Sequence, residues 1–244
     1  MSESKQRFAV FDIDGTLIRW QLYHAVVDRL AKKNLLGPSA SERLHTARMV
    51  WKRREHPEAF REYELALIQI YESALPELTP EQFDEVVEEV ATEYKEQIYI
   101  YTRDLVESLK NKGYMLIAIS GSHEELVGYI ARQYGFDVWI GSRYERKGNK
   151  FTGKKFVASS NKRTVLEELV KVHDLSFEGS VGVGDSRSDA AFLELVELPI
   201  AFNPDRELYK IARDHGWQIV IERKNMIYTL KEHDGSYLLA QTNA

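Results

Sequence analysis

The stretch FAVFDIDGT, residues 8–16, is an apolar run that ends in two aspartates, a glycine and a threonine. Such a run, followed at once by an Asp-Gly pair, is typical of a strand buried on both faces of a parallel sheet. Side chains at i and i+2 of a strand point to one face, so we expect Asp12 and Asp14 to lie together. Paired carboxylates repel unless a cation separates them or one is protonated. The alternative is a plain Asp-Gly turn.

Two later apolar runs repeat this arrangement. Residues 114–119 run into Ser120, and residues 180–183 run into a glycine followed by Asp185. Apolar residues at helical spacing follow these runs, as does a predicted capping box of Ser122 and Glu125. The predicted helices cover 122–134, 162–173, 188–196 and 206–215, and further strands cover 199–202 and 217–221.

Strands that alternate with helices predict an α/β fold with a doubly wound, mostly parallel, Rossmann-like sheet. Residues 138–156 predict a β-hairpin, which turns near residues 147–149.

The segment 19–100 breaks this rhythm and predicts an inserted helical domain. A crossover between parallel strands needs only about a dozen residues. Breakers divide this longer segment into about four helices, one of which begins at Pro80 with Thr79 as its N-cap. We therefore predict an α/β core over 1–18 and 101–244 and a helical cap over 19–100. The insertion is either an ordinary subdomain or a mobile lid, because it leaves the end of a strand where such sheets bind ligands.

Composition excludes several classes of protein. The 244 residues carry 33 Lys and Arg against 38 Asp and Glu, a net charge of −5, and no cysteine. Disulfides, thiolate catalysis and cysteine-ligated metals are therefore excluded. The mild acidity argues against nucleic acid or an anionic membrane as a partner. The polar start, MSESKQRF, carries no secretory signal and no apolar run approaches about 20 residues, so we expect a cytoplasmic protein.

Acidic residues follow two of the predicted strands. The carboxyl ends of parallel strands meet at one edge of a sheet, so these side chains are expected to converge there. Oxygen ligands of this kind favour Mg²⁺. Alternatively, the second acidic loop is only a turn with a helix cap. The expected metal site consists of Asp12, Asp14, Asp185 and Asp189.

Ser120, Gly121 and Lys162 form a candidate phosphate site. A hydroxyl and free backbone amides at the start of a helix favour an anion. A lysine at a helix N-terminus opposes the helix dipole, and a bound phosphate nearby would remove that penalty. The alternatives are a serine in a capping turn and a surface lysine.

Read in order, these motifs are Asp-x-Asp-Gly-Thr, a serine after an apolar strand, a lysine, and Gly-Asp-Ser-x-x-Asp. This order resembles the haloacid dehalogenase (HAD) superfamily of phosphohydrolases, and the resemblance covers essentially the whole chain. The helical insertion resembles the C1 cap of the phosphoserine-phosphatase-like branch. The resemblance implies a phosphoric monoester hydrolase.

The resemblance also implies roles for individual residues. Asp12 becomes the nucleophile that forms an aspartyl-phosphate, and Asp14 the general acid and base. Mg²⁺ is held by Asp12, Asp185 and the backbone carbonyl of Asp14, and Asp189 is a ligand or orients one. Phosphoryl oxygens are held by Ser120, Lys162 and the amides near Gly15 and Gly121. Lys154 and Lys155 are alternatives to Lys162.

Two positions bear on the identity of the substrate. Dehalogenases of this superfamily lack the second aspartate, so the presence of Asp14 argues against dehalogenation. Gln21 falls near the position where phosphoserine phosphatases have a glutamate for the substrate ammonium, which argues against phosphoserine. Trp20, Gln21 and Tyr23 are candidate substrate contacts, with packing inside the cap as the alternative reading.

We therefore expect a Mg²⁺-dependent phosphatase acting on a small phosphorylated metabolite. Two alternatives remain. One is a phosphotransferase with the same residues, and the other is a catalytically weak protein that binds a phosphorylated ligand. A pure binding protein would be expected to have lost Asp12 or Asp14.

Overall fold

The computed structural model describes residues 5–243. Residues 1–4 and Ala244 lie outside the described residues. Residues 1–4 are part of the polar start on which the expected cytoplasmic location is based. The strands are β1 (Gln6–Phe11), β2 (Met115–His123), β3 (Val138–Lys147), β4 (Lys150–Phe156), β5 (Leu175–Gly184), β6 (Leu198–Phe202), β7 (Gln218–Arg223), β8 (Met226–His233) and β9 (Ser236–Asn243). The helices are α1 (Leu22–Lys32), α2 (Ala40–Lys52), α3 (Ala59–Ala74), α4 (Pro80–Tyr94), α5 (Ile100–Asn111), α6 (Glu124–Tyr134), α7 (Lys162–Val172), α8 (Ala190–Leu193) and α9 (Arg206–Asp214).

The chain divides into two compact units. The α/β unit contains the described residues 5–20, 94–142 and 157–243, and the helical unit contains residues 21–93 and 143–156. These bounds differ from the expected cap over 19–100. The end of α4 and the segment before α5 group with the α/β unit, and the hairpin groups with the helical unit.

The α/β unit is built on a sheet with the strand order β3-β2-β1-β5-β6-β7-β8-β9. The strands from β3 to β7 in this order are parallel, and β8 and β9 are antiparallel to their neighbours. Phe8, Ala9, Val10 and Phe11 are all fully buried, as expected of a central strand covered on both faces. The predicted α/β fold with a mostly parallel sheet is confirmed.

The order of the strands reverses direction at β1. From β1 the chain enters β2 and β3 on one side, and later β5, β6 and β7 on the other. Phe11 is level with Ala118 of β2 and Val183 of β5, so the carboxyl ends of these three strands adjoin. In open α/β sheets a ligand binds at such a switch point.

Helices pack against these central strands. Helices α5 and α6 contact β2, α7 and α8 contact β5, and α9 contacts β6 and β7. Helix α8 is shorter than the predicted helix over 188–196, because residues 187–189 form a 3₁₀ turn. Ser122 lies in β2, and α6 begins at Glu124 with His123 at the N-cap, so the predicted capping box is wrong.

The helical unit contains α1 to α4 and the hairpin half of β3 with β4. Helix α4 begins as predicted: the Thr79 hydroxyl accepts from the Gln82 amide at 3.2 Å, and the Gln82 side chain accepts from the Thr79 amide at 3.0 Å. Phe151 of β4 packs edge-on against Phe83 of α4 with ring centroids 5.7 Å apart, which explains why the hairpin belongs to this unit. No helix between residues 5 and 243 is both long and apolar enough to cross a membrane.

Candidate active site

The loop after β1 buries two carboxylates. Asp12 is 4% exposed and Asp14 is 8% exposed. Gly15 has a φ of +77°, a left-handed conformation that glycine adopts without steric cost. Its amide donates to the Ile18 carbonyl at 2.9 Å, so in this structure the turn uses a donor that we expected to hold a phosphoryl oxygen.

Lys162 lies at the first position of α7 and carries its ammonium into the same place. Its Nζ donates to Oδ1 of Asp12 at 2.6 Å and also contacts Oδ1 of Asp189. The Lys162 residue is 2% exposed. Lys162, and neither of the alternatives Lys154 and Lys155, is therefore the lysine that contacts Asp12. In the helical unit, Lys155 contacts Glu72 and Lys154 lies near Glu145.

Burial and charge shift the pKa values of this pair. Burial acts to lower the pKa of Lys162, but Asp12 and Asp189 outweigh it and the pKa lies above its ordinary value. Burial raises the pKa of Asp12 from 3.8 to about 8; Lys162 opposes the rise, while Asp189 and Asp14 add to it. Lys162 therefore stays protonated. Asp12 ionises more readily when further positive charge lies near it.

Asp189 organises the loop after β5. Its Oδ2 accepts hydrogen bonds from the Asp185 amide at 3.0 Å, the Ser186 amide at 2.9 Å and the Ser186 hydroxyl at 3.0 Å. A Cβ atom at Gly184 would lie 2.4 Å from Cβ of Asp189, so only glycine permits this close approach. One oxygen of Asp189 therefore contacts Lys162, and the other accepts hydrogen bonds from within the loop.

Three carboxylates at this edge fit a divalent cation. Oxygens of Asp12, Asp185 and Asp189 all lie within 4.8 Å of one another. Burial, followed by the charges of Asp12 and Asp189, raises the pKa of Asp185 well above its ordinary value. Three carboxylates exceed the single ammonium of Lys162, and hard oxygen donors are the ligands that Mg²⁺ prefers. The donor set therefore suits Mg²⁺.

Asp14 interacts with a different set of groups. Ser120 Oγ donates to its Oδ2 at 2.6 Å, and Ser122 Oγ donates to its Oδ1 at 2.9 Å. Both serines lie on β2, at alternate positions that point to one face. The sequence motifs predict Ser120 as a site residue and Ser122 as part of a helix cap. The same i, i+2 spacing that pairs Asp12 with Asp14 is the signal that could have identified Ser122.

The remaining predicted site residues lie as follows. Gly121 is in β2, where an added Cβ would lie 3.2 Å from Cβ of Ser159. Trp20, in the α/β unit, is 46% exposed and stacks on Tyr94. In the helical unit, Gln21 is the N-cap residue of α1, and the Tyr23 hydroxyl is hydrogen-bonded to that of Tyr144 at 3.1 Å. The role of Trp20, Gln21 and Tyr23 in substrate binding stays a prediction.

The chain is similar to several known proteins. A phosphoserine phosphatase of Archaeoglobus fulgidus is 28% identical over 211 residues, which are 85% of this chain and 56% of that relative. A histidinol-phosphatase of Neisseria meningitidis serogroup C is 26% identical, with 88% of this chain and 98% of the relative covered. A crystal structure of a Bordetella pertussis Tohama I protein of unknown function shares the fold, with a TM-score of 0.71, 23% identity and coverage of 90% and 99%.

The family comparison covers most of the motifs described above. The profile of the haloacid dehalogenase-like hydrolases matches residues 9–194, a span that includes the end of β1 with Asp12 and Asp14, the Ser120 strand, Lys162 and the Asp185–Asp189 loop. The resemblance predicted from the sequence is thereby confirmed, and the chain belongs to the haloacid dehalogenase-like hydrolase family.

Proposed function

We propose that this protein is a Mg²⁺-dependent phosphatase that hydrolyses a small phosphomonoester through an aspartyl-phosphate on Asp12. The observation that carries the proposal is the buried contact between Asp12 and Lys162, beside Asp185 and Asp189 at the carboxyl ends of β1 and β5. The predicted enzyme class, a phosphoric monoester hydrolase of the HAD type, is confirmed by the family match and by relatives that are phosphatases.

In the first step an oxygen of Asp12 attacks phosphorus, forming an O–P bond as the bond from phosphorus to the leaving oxygen breaks. The Lys162 ammonium is hydrogen-bonded to Asp12, and its positive charge reduces the repulsion between the carboxylate and the phosphate. Asp12, Asp185 and Asp189 would hold Mg²⁺. The bound ion would supply further neutralisation of charge on the phosphoryl group.

Asp14 handles the proton in both steps. It gives a proton to the leaving oxygen, which departs as the alcohol, and then takes a proton from the water that attacks the aspartyl-phosphate. That attack breaks the bond between Asp12 and phosphorus, releases inorganic phosphate and restores both side chains. The hydrogen bonds from Ser120 and Ser122 keep Asp14 in the same group of side chains as Asp12 and Lys162.

The substrate class is a small phosphorylated metabolite. The phosphatases among the relatives act on phosphoserine and on histidinol phosphate by their names, so both esters belong in the first substrate panel. With an uncharged Gln21, we expect phosphoserine to be a poorer substrate than an ester without an ammonium group near the reacting phosphate.

The first test measures phosphate release from p-nitrophenyl phosphate and from the ester panel, in Mg²⁺ and in EDTA. We expect turnover that requires the metal and falls at least about 10³-fold in Asp12→Asn, because the nucleophile is lost. Asp214→Asn is the matched control, since this aspartate is exposed at the end of α9 and should leave turnover unchanged.

Two outcomes would overturn the proposal. One is turnover that persists in Asp12→Asn, because the aspartyl-phosphate could not then form. The other is inactivity of the folded wild-type protein on every ester in the panel with Mg²⁺ present, a result that would favour the ligand-binding alternative.

A further inference from the structure

Ser122 is a buried hydroxyl that the mechanism above does not use as a reacting group. It is 1% exposed, and its Oγ donates to Oδ1 of Asp14 at 2.9 Å. A capping role does not account for it, because Ser122 lies within β2, and α6 begins two residues later without a side-chain cap. Its hydroxyl is directed instead at the residue proposed to move the proton.

The second serine, Ser120, has one hydroxyl hydrogen to donate, and in this structure it donates that hydrogen to Asp14. Its Oγ donates to Oδ2 of Asp14 at 2.6 Å and accepts from the Ser122 amide at 3.0 Å. A serine hydroxyl carries a single hydrogen. If Ser120 turns that hydrogen to a phosphoryl oxygen, as the family resemblance implies, its hydrogen bond to Asp14 is lost. The hydrogen bond from Ser122 is not affected by this exchange.

We propose that Ser122 is a positioning residue, which holds Oδ1 of Asp14 so that Oδ2 stays directed at the leaving oxygen after Ser120 has turned to the phosphate. This inference rests on the proposed function and goes beyond it, since it assigns different tasks to the two oxygens of Asp14. Oδ1 accepts the Ser122 hydrogen throughout. Oδ2 carries the proton that passes to the leaving oxygen as the bond between that oxygen and phosphorus breaks.

The leaving group supplies the test. An alkyl alcohol is a poor leaving group and needs the proton from Asp14, whereas p-nitrophenolate leaves readily without one. The experiment therefore compares kcat/KM for β-glycerophosphate with kcat/KM for p-nitrophenyl phosphate in each variant. The ratio of the two values is measured on one protein preparation, so partial unfolding of a variant cancels out.

For Ser122→Ala we expect this alkyl-to-aryl ratio to fall about tenfold or more, a part of the usual contribution of a general acid. Asp14→Asn should lower the ratio at least as far, and adding Ser122→Ala to it should lower the ratio no further. Ser180→Ala is the matched control. Ser180 is fully buried in β5, where its Oγ donates to the Phe177 carbonyl and accepts from the Glu197 amide, so its loss should leave the ratio unchanged.

The outcomes separate this inference from the proposed function. An unchanged ratio in Ser122→Ala, together with a lowered ratio in Asp14→Asn, overturns the role of Ser122 alone. Equal losses on both substrates in Ser122→Ala also overturn it, because they indicate damage to folding or phosphate binding. An unchanged ratio in Asp14→Asn overturns the proton-transfer role of Asp14 and the inference with it.

Discussion

Lys162 is a buried cation whose charge is matched by carboxylates on two other elements. Its Nζ contacts Asp12 after β1 and Asp189 after β5, and the Phe192 ring centroid lies 5.6 Å from it. Removing one member of such a group leaves the others charged and unpaired in a place from which water is excluded. We therefore expect Lys162 to matter both for the stability of the loops around the site and for the chemical reaction.

Lys162→Met is expected to destabilise the metal-free protein by about 3 kcal/mol, because it leaves Asp189 without its buried partner charge and removes the hydrogen bond to Asp12. Urea unfolding in EDTA measures this free energy. Lys171→Met, an exposed change in the same helix, is the control and should alter stability by less than about 0.5 kcal/mol. Equal stability of the two variants would mean that the buried pair contributes nothing.

Gly184 is needed for its lack of a side chain. In Gly184→Ala, the new Cβ would lie 2.4 Å from Cβ of Asp189, so the loop after β5 must shift. We expect kcat to fall about 10²-fold, because a shift of roughly 1 Å in a catalytic group can lower the rate by that factor. Overpacking should also lower the free energy of unfolding by about 1–3 kcal/mol. Steady-state kinetics and urea unfolding test both, and wild-type values for the variant would contradict the close approach.

At the scale of elements, two strands deliver side chains by the same rule. Asp12 and Asp14 follow β1 two residues apart, and Ser120 and Ser122 occupy alternate positions of β2. Because β1 and β2 are parallel neighbours in register, the two pairs meet at one edge of the sheet. This explains how four polar groups converge although more than 100 residues separate the aspartates from the serines.

The hairpin half of β3 with β4 contacts α4 of the helical unit through Phe151 and Arg146. This ring is 6% exposed and packs against Phe83, and Arg146 of the hairpin pairs with Asp84 of α4 at 2.7 and 2.8 Å. We expect Phe151→Ala to destabilise the helical unit by about 3 kcal/mol, the usual cost of removing a buried ring.

Phe151→Leu, which keeps most of the apolar volume, should lose less than half as much. Urea unfolding followed by circular dichroism gives both values. Equal losses in the two variants would show that the edge-on contact with Phe83 has no particular importance for the hairpin.

At the scale of the whole molecule, the acidic site links stability to pH and metal. The Asp12 carboxyl has a pKa of about 8 in the folded, metal-free protein against 3.8 ordinarily. A raised pKa means that folding favours the protonated form, so this group contributes stability at low pH. That contribution is lost as the pH rises from about 4 to about 8.

Mg²⁺ should therefore bind more tightly as the pH rises, because it binds the carboxylate and displaces the proton. Between pH 6 and pH 8 we expect the apparent affinity to increase about tenfold per pH unit for each proton displaced. The rise in Tm caused by a fixed concentration of Mg²⁺ should accordingly be larger at pH 8 than at pH 6. Thermal unfolding at the two pH values tests this.

Asp12→Asn is the control for this linkage, because it removes the carboxyl with the raised pKa. We expect the variant to show a smaller rise in Tm with Mg²⁺ and a weaker dependence of that rise on pH. A wild-type protein whose Tm responds to Mg²⁺ equally at pH 6 and pH 8 would contradict the account.

The sequence by itself determined the class of the fold and the identity of most of the polar groups at the switch point. Apolar runs such as residues 8–11 predict buried strands, and alternate side chains of a strand point to the same face. These are local properties, so β1, β2, β5 and the four helices before residue 100 could be predicted from neighbouring residues alone.

Only the tertiary structure decided which distant groups touch. Lys162 rather than Lys155 contacts Asp12, Ser122 faces Asp14 instead of capping α6, and the hairpin packs on α4. The C-terminal hairpin of β8 and β9 was also not predicted, since β9 is almost wholly exposed and lacks an alternating apolar pattern. Contacts between residues far apart in the chain depend on how the elements pack, and the local pattern of apolar residues does not predict that packing.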